Sequence, residues 1–252
     1  MSEREREMVV GSPRELASMT TRRRFLRALG LGGTVVLLPS VFAACDDDDD
    51  LGGIGGAGTS DPVVLNLSND IGILNYAFAL EQLEAAFYEQ VVNAATFQST
   101  FASAAERELL TDLRNDEVVH REFYRRALGS AAIPNLRVDF GSALASRDSV
   151  LVNARTFEDL GVAAYNGAGR FLRNAQNLLV AGKIVSVEAR HAAAIRDALD
   201  ATGIAFGDLT SLIPFGADAA TGRDGALAPA RVLELADPFV TTPISIGTPP
   251  TV

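Results

Sequence analysis

Two short stretches of the chain each place a glutamate three residues before a histidine: Glu117 with His120, and Glu188 with His191. These pairs use both histidines of the 252-residue chain, and its 14 glutamates make two such pairings improbable by chance. Positions i and i+3 share one face of a helix, so each pair can direct a carboxylate and an imidazole at one point. The pattern predicts a metal site; the alternative is two solvated helix faces with a Glu–His pair each.

A further glutamate precedes each motif within a repeated segment. When residues 79–88 are aligned with residues 156–165, Glu81 falls on Glu158. The chain is therefore an internal repeat, in which a Glu helix and a Glu-x-x-His helix occur twice. Helical bundles that hold two iron or two manganese ions take Glu-x-x-His from two helices and one Glu from each of the other two. The predicted metal ligands are thus Glu81, Glu117, His120, Glu158, Glu188 and His191.

Charge and donor type specify the expected metal. Four carboxylates and two neutral imidazoles carry four negative charges, which balance two divalent cations, and a site without thiolates favours iron or manganese over structural zinc. By analogy with such bundles, Glu117 and Glu188 would bridge the ions and each histidine would bind one. Glu81 and Glu158 would be terminal ligands.

Three other residues of the repeat have less determined roles. Glu84 falls opposite Gly161 in the alignment and shares a face with Glu81, so an extra ligand and a surface carboxylate both fit its position. Tyr88 and Tyr165 lie two turns beyond the repeated glutamates, and we expect core residues whose hydroxyls find a hydrogen-bond partner; a redox role is the alternative.

Apolar periodicity and caps predict four helices that would position these residues, and hence an all-α four-helix bundle. The first runs over about 71–93 after a cap at 68–70, and the second over about 104–128 after the capping box of Ser103 and Glu106. The third runs from about 149 to 165, with a kink or an interruption predicted at 166–169 and continuation to about 180. Gly182 is predicted to mark the next turn, and the fourth helix covers about 183–201. The twenty residues 129–148 are predicted to be one long crossover.

The first 44 residues are predicted to be an export signal. Thr-Arg-Arg-Arg-Phe-Leu-Arg at 21–27, with Arg22 and Arg23, precedes an uncharged stretch over 28–44 and resembles a twin-arginine signal. A transmembrane anchor is the alternative, although seventeen residues with three glycines and a proline are short for a span. We therefore expect the twin-arginine machinery as a partner and a periplasmic or cell-surface location.

Cys45 is the only cysteine, so no intramolecular disulfide can form. It follows Phe-Ala-Ala, where a lipoprotein signal places its acylated cysteine, so a lipid anchor and ordinary cleavage nearby both remain open. The Asp- and Gly-rich residues 45–60 are predicted to be a disordered, flexible tether before a bundle at 61–203.

Residues 204–252 are predicted to be a mostly loop extension, with a short helix over 228–236 and residues 237–240 packing on the bundle. The net charge of −10 argues against nucleic acid as a partner. The sequence does not indicate an oligomeric state.

Two motifs carry a family resemblance: Leu-Glu-x-Leu-Glu-Ala-x-Phe-Tyr at 80–88 and Phe-Glu-Asp-x-Gly-Val-x-Ala-Tyr-Asn-Gly-Ala at 157–168. They resemble the ferritin-like domain family, in the branch that includes the desiccation-related proteins, over about residues 65–240. The resemblance implies a ferritin-like four-helix bundle. Three functions follow as hypotheses: a di-iron or di-manganese oxidoreductase acting on oxygen or peroxide, a non-catalytic metal-binding or stress protein, and a purely structural bundle.

Overall fold

The structure is a computed structural model that describes residues 58–200 and 208–250. The predicted export signal with Arg22 and Arg23, the Cys45 cleavage or lipidation site, and most of the predicted tether lie outside the described residues.

The first half of the bundle is a helical hairpin of α1 (Asp70–Asn93) and α3 (Ala104–Leu128), with the single turn α2 (Phe97–Thr100) between them. The Asn69 side chain caps α1 by accepting from the amide of Gly72, as the sequence predicts. Ser103 caps α3 in the same way, but Glu106 forms an ion pair with Arg147, so only half of the predicted capping box forms. Gly129 ends α3 with φ of 52°, a conformation that favours glycine.

The second half is the hairpin of α4 (Arg147–Gly169) and α5 (Ala175–Leu199). The predicted interruption at 166–169 and the predicted turn at Gly182 are wrong, because α4 continues through 166–169 and Gly182 lies within α5. The turn lies at 170–174 instead, where Asn174 caps α5 and the carboxylate of Asp70 accepts from the amides of Arg173 and Asn174. Gly167 serves close packing within α4, since a Cβ there would lie 1.8 Å from the carbonyl oxygen of Leu227.

The connection between the two hairpins is the predicted long crossover. Helix α3 has 25 residues and is about 37 Å long. The chain leaves α3 at its C-terminal end, yet Arg147 at the start of α4 contacts Glu106 at the start of α3, with Nε and Oε1 3.0 Å apart. The crossover therefore runs back along the whole bundle, and the predicted four-helix architecture is confirmed.

Two buried amides of α1 fix this crossover. The Asn75 side chain donates to the carbonyl of Ala131 and accepts from the amide of Ile133. Two turns further along α1, the Gln82 side chain accepts a hydrogen bond from the amide of Leu136. These bonds satisfy crossover backbone groups that packing on the bundle removes from water. The crossover contains 3-10 turns at Gly129–Ala131 and Gly141–Leu144.

The C-terminal extension closes against the start of the domain. The predicted short helix forms as α6 (Pro229–Ala236), between 3-10 turns at Ile213–Phe215 and Asp237–Phe239. After it, β2 (Ile244–Thr248) pairs in parallel with β1 (Val63–Asn66), which the sequence analysis missed. Within the segment 237–240, Phe239 contacts Phe157 of α4 edge-on, with ring centroids 4.9 Å apart.

A cluster of aromatic rings packs α1 against α4 and the crossover. Phe87 of α1 packs edge-on against Phe157 of α4 and Phe140 of the crossover, with centroids 4.9 and 5.2 Å apart. Such contacts favour one relative placement of α1 and α4, which carry the repeated glutamates. Among the helices of residues 58–200 and 208–250, none has the length and apolar character needed to cross a bilayer.

Candidate metal centre

The six predicted ligands meet in the middle of the four-helix bundle, where all of them are buried. Helices α1 and α4 contribute one glutamate each, Glu81 and Glu158, and the Glu-x-x-His pairs come from α3 and α5. The two imidazole rings lie 6.3 Å apart between centroids. Each half of the sequence repeat therefore contributes one glutamate and one Glu-x-x-His pair to the same buried centre.

The ligand atoms form two groups that share two carboxylates. In each group, one ligand atom per residue lies within 4.8 Å of every other. The two groups are Glu81, Glu117, His120 and Glu188, and Glu117, Glu158, Glu188 and His191. Glu117 and Glu188 belong to both groups, so each of these carboxylates lies close to both histidine-containing sets of possible ligands.

The imidazole nitrogens lie within 3.4 Å of the ligand carboxylates. His120 Nδ1 lies 3.0 Å from Glu188 Oε1, 3.3 Å from Glu117 Oε2 and 3.4 Å from Glu81 Oε2. His191 Nδ1 lies 2.7 Å from Glu117 Oε1 and 3.4 Å from Glu158 Oε2. Both histidines thus turn Nδ1 toward the carboxylates.

These contacts leave the centre short of hydrogen-bond donors. Each Nδ1 carries at most one proton, yet the two nitrogens face five carboxylate oxygens. Among the described residues, all four ligand glutamates have a buried carboxylate oxygen that accepts no well-aligned hydrogen bond, and for Glu188 this is true of both oxygens. Unpaired buried carboxylates are costly unless a cation neutralises them. Oxygen and imidazole donors at this density fit a pair of divalent ions.

Two tyrosines hold the outer carboxylates across the bundle. Tyr88 of α1 donates to Glu158 Oε1 of α4 at 2.5 Å, and Tyr165 of α4 donates to Glu81 Oε1 of α1. The expectation that both hydroxyls find partners is confirmed, and the partners are the repeated glutamates themselves. The Tyr165 hydroxyl is also hydrogen-bonded to that of Tyr124 on α3, at 3.0 Å. Each outer carboxylate is therefore oriented by the opposite half of the repeat.

Without metal, protons on the imidazoles balance part of the carboxylate charge. Burial lowers the pKa of His191, but the charge of Glu158 and the hydrogen bond to Glu117 outweigh it and raise this pKa to about 12. Burial also lowers the pKa of His120, but the carboxylates of Glu117, Glu188 and Glu81 beside its Nδ1 outweigh burial and raise this pKa above the ordinary value. A bound ion must displace these protons, so metal affinity should fall in acid.

The crowding of the centre raises the pKa of some carboxyl groups and lowers that of another. Burial, together with the charge of Glu117, raises the pKa of Glu81 to about 7. Burial and neighbouring carboxylates also raise the pKa of Glu84 and Glu188 well above the usual range. Although burial raises the pKa of Glu117, its bonds to both imidazoles lower it to about 2. Glu117 therefore carries a firmly negative charge at the centre.

These shifts predict how the metal-free protein responds to pH. A group whose pKa is raised by folding adds stability that is complete below its unfolded pKa and is lost as the pH rises through the folded value. This window is 4.5 to about 7 for Glu81, and 6.5 to about 12 for His191. Glu117 has the opposite sign, and its contribution is lost only as the pH falls from 4.5 to about 2. Between pH 5 and 8 the net effect is a loss of stability.

A family comparison agrees with this geometry. A family model described as a ferritin-like domain matches residues 69–201, which include all of α1 to α5 and all six candidate ligands. The chain belongs to the ferritin-like domain family. No curated protein matches the chain.

The ferritin-like domain also uses a residue that the sequence analysis missed. Asp116 Oδ2 lies 3.1 Å from His191 Nε2, on the side of the ring away from the carboxylates. Such a carboxylate fixes the orientation of a metal-binding imidazole and makes it more basic. In the sequence, only the position of Asp116 directly before Glu117 indicates that it lies near the centre. Val187 occupies the corresponding place before Glu188, so the two halves of the centre differ.

Glu84 of the ferritin-like domain is buried at the edge of the centre, so the alternative of a surface carboxylate is wrong. It belongs to neither group of candidate ligand atoms. The space for it comes from Gly161, since a Cβ at position 161 would lie 2.8 Å from Glu84 Oε1. Glu84 and Gly161 occupy equivalent positions of the repeat, and the Glu84 side chain fills the space that a side chain at 161 would take.

Proposed function

We propose that this ferritin-like domain binds two divalent iron or manganese ions and that the loaded centre reacts with oxygen or peroxide. The observation that supports the proposal is the pair of ligand groups that share Glu117 and Glu188. Glu81 and His120 would complete the ligation of one ion. Glu158 and His191 would complete that of the other.

Charge and burial support a pair of ions. The four ligand glutamates carry four negative charges when ionised, and two divalent ions balance them. When bound, the pair would supply electrons for the reduction of oxygen or peroxide. The protein's own residues orient the ligands and exclude bulk water, because the ligand carboxylates are fully buried.

The test loads metal-free protein with Fe(II) under anaerobic conditions, counts the bound metal, and then admits air or peroxide. We expect about two ions per chain, as the charge balance requires, and a change in near-ultraviolet absorbance on oxidation. Stoichiometric binding without a spectral change would instead support a non-catalytic metal-binding or stress protein. Absence of bound metal would leave the structural bundle.

Three variants sharpen this test. Glu188→Ala removes a carboxylate shared by both ligand groups, so it should abolish binding of the pair. Glu84→Ala should reduce binding less, because Glu84 is outside both groups. Glu122→Ala is the matched control, since Glu122 is a half-buried glutamate of α3 outside both ligand groups that pairs with Arg121 and Arg125. Equal metal content in Glu188→Ala and Glu122→Ala would contradict the proposed ligation.

The proposal includes export. The twin-arginine segment at 21–27 supports passage through the twin-arginine machinery to the periplasm or cell surface, with a lipid anchor at Cys45. Changing Arg22 and Arg23 together to lysine should leave the precursor in the cytosol. Normal export of that double variant would refute the signal, and an unmodified N-terminus of the mature protein in mass spectrometry would refute lipidation.

We also assign the chain to the desiccation-related branch of the family, on the motifs at 80–88 and 157–168. Cells that lack the protein should then survive drying less well than cells with it restored. Restoration with Glu188→Ala separates the role of the centre from that of the bundle, because only a metal-dependent function would be lost.

A further inference from the structure

The exposed charges of the bundle are separated along its long axis. At one end, Asp70 at the start of α1 bonds to amides of the turn between α4 and α5, and Asn75 bonds to Ala131, just after α3. The segments that meet there are residues 70–78, 123–133 and 166–183. Their exposed charged side chains are all cationic: Arg126, Arg170, Arg173 and Lys183. We call this end of the bundle the basic end.

The opposite end carries exposed charges of the other sign. There, Arg147 at the start of α4 bonds to Glu106 near the start of α3 and to the carbonyl of Ala198 near the end of α5. The segments of this acidic end are residues 86–93, 102–112, 141–152 and 193–200. Their exposed charged side chains are all acidic: Glu108, Asp112, Asp148, Asp197 and Asp200. Although the net charge of the chain is −10, an anionic surface would therefore attract the basic end and repel the acidic end.

Exposed apolar side chains accompany the cations of the basic end. Of the eight large apolar side chains that are exposed in the described residues, four lie in its segments: Ile71, Phe123, Leu178 and Leu179. Leu179 and Lys183 are four residues apart on α5, so they share a face of that helix. Phe123 and Arg126 share a face of α3 in the same way. Apolar side chains flanked by long cationic ones are typical of protein surfaces that lie in the interface of a lipid bilayer.

The described chain also begins close to this end. The amide of Thr59 donates to the carbonyl of Asn135, whose side chain accepts from Arg125 in the last turn of α3. Thirteen residues separate Gly58 from Cys45, a length that spans at most about 45 Å. A lipid on Cys45, which is part of the proposed function, would thus keep the domain close enough to a bilayer for the basic end to reach it.

We propose that the basic end of the domain binds the surface of an anionic phospholipid bilayer. Its cations would pair with lipid phosphates, and Ile71 and Leu179 would enter the headgroup layer. A bilayer fits better than a folded protein partner, because it requires no shape complementarity with side chains that come from separate helices. Binding requires neither metal nor a lipid on Cys45, so its failure is distinguishable from failure of the proposed function.

A tryptophan reporter tests which end of the domain contacts lipid. The chain contains no tryptophan, so Leu179→Trp places a single fluorophore at the basic end. Val152→Trp is the matched control, because Val152 is an exposed apolar residue of α4 at the acidic end. The full chain, without lipid or metal, is mixed with phosphatidylcholine vesicles that contain or lack phosphatidylglycerol, and tryptophan emission is recorded.

With phosphatidylglycerol present, the emission of Leu179→Trp should shift to shorter wavelength, whereas that of Val152→Trp should not change. The shift should be absent with phosphatidylcholine alone, and it should decrease with added salt, because salt screens the lipid charge. No shift for Leu179→Trp, or equal shifts at the two positions, would overturn the proposal.

A second comparison tests the cations in the Leu179→Trp chain. Three of them are changed together: Arg126→Gln, Arg170→Gln and Lys183→Gln. Each Lys or Arg near an anionic surface strengthens binding about fivefold, so the triple change should weaken binding about 100-fold. The control removes the same charge from exposed positions outside the basic end: Arg137→Gln, Arg155→Gln and Arg231→Gln. Equal affinity of the two triple variants for the anionic vesicles would contradict the proposal.

Sedimentation velocity without vesicles tests the other occupant of this surface, a second copy of the chain. We expect the parent and the variant that lacks Arg126, Arg170 and Lys183 to show the same state of association. If the parent associates through these residues and binds no vesicles, the basic end is an interface between copies and the proposal is wrong.

Discussion

Gly161 is the position where one added methyl group should disturb the centre without removing a ligand. It lies inside α4, three residues after Glu158. A Cβ there would lie 2.8 Å from Glu84 Oε1 and 3.1 Å from Glu188 Oε2, against an ordinary contact distance of at least 3.4 Å. In Gly161→Ala the two carboxylates must therefore move by roughly 0.6 and 0.3 Å, the differences between these distances.

The expected effect has two parts. Glycine in a helix interior is less stable than alanine by about 0.5–1 kcal/mol, so Gly→Ala alone should stabilise the fold. Gly182→Ala in α5 is the matched control, because a Cβ at this exposed position meets nothing within 4 Å, and it should show this gain. In Gly161→Ala the displaced carboxylates should offset the gain. Metal ligation tolerates only about 0.2 Å, so affinity should fall about 10–100-fold.

The assay is competition with a chromophoric chelator for Mn(II) or anaerobic Fe(II), together with thermal unfolding of the metal-free protein. Gly161→Ala should bind metal more weakly than Gly182→Ala and unfold at a lower temperature. Equal metal affinity and an equal gain in stability for the two variants would refute the argument that Gly161 makes room for Glu84 and Glu188.

Three further predictions follow from the same centre. The metal-free protein should lose stability by at least about 1 kcal/mol per pH unit between pH 5 and 8, because folding raises the pKa of Glu81, Glu84, Glu188 and the imidazoles; a melting temperature that rises across this range would contradict the assigned pKa shifts. Asp116→Asn should weaken metal binding about tenfold relative to the exposed control Asp112→Asn, because the imidazole of His191 loses a charged partner; equal affinities would exclude this role. Tyr165→Phe should raise the pKa of Glu81 above about 7 in carbon NMR of the carboxyl groups, since the hydrogen bond from Tyr165 lowers it, and an unchanged pKa would show that the bond is not made.

The centre was predictable from sequence because its ligands repeat at helical spacing. Glu117 and His120 share a helix face whatever the details of packing, and the same holds for Glu188 and His191. The aligned glutamates then specify which other helices face them. The ligand positions thus follow from the repeat rather than from any long-range contact.

Other features depend on contacts that the repeat does not encode. The turn between α4 and α5 was misplaced because Gly167 and Gly182 suggest breaks in a helix. Both glycines in fact lie within helices: Gly167 allows the backbone of Leu227 to approach α4, and Gly182 is an exposed position of α5. Asn174, which caps α5, carried the correct signal. The pairing of β1 with β2 joins segments about 180 residues apart, and such long-range pairing leaves no local pattern.

The partners of the tyrosines were also beyond the sequence. Spacing placed Tyr88 and Tyr165 two turns from Glu81 and Glu158 on the same helices, but each hydroxyl bonds to the glutamate of the opposite helix. Only the packing of α1 against α4 determines that exchange.

The central claim is a pair of ions that share Glu117 and Glu188. Anomalous scattering from crystals loaded with manganese or with anaerobic Fe(II), recorded at the absorption edge of the added metal, tests it most directly. We predict two peaks about 3.5–4 Å apart, with both shared carboxylates between them and one histidine beside each. A single peak, or two peaks outside the six ligand residues, would contradict the account.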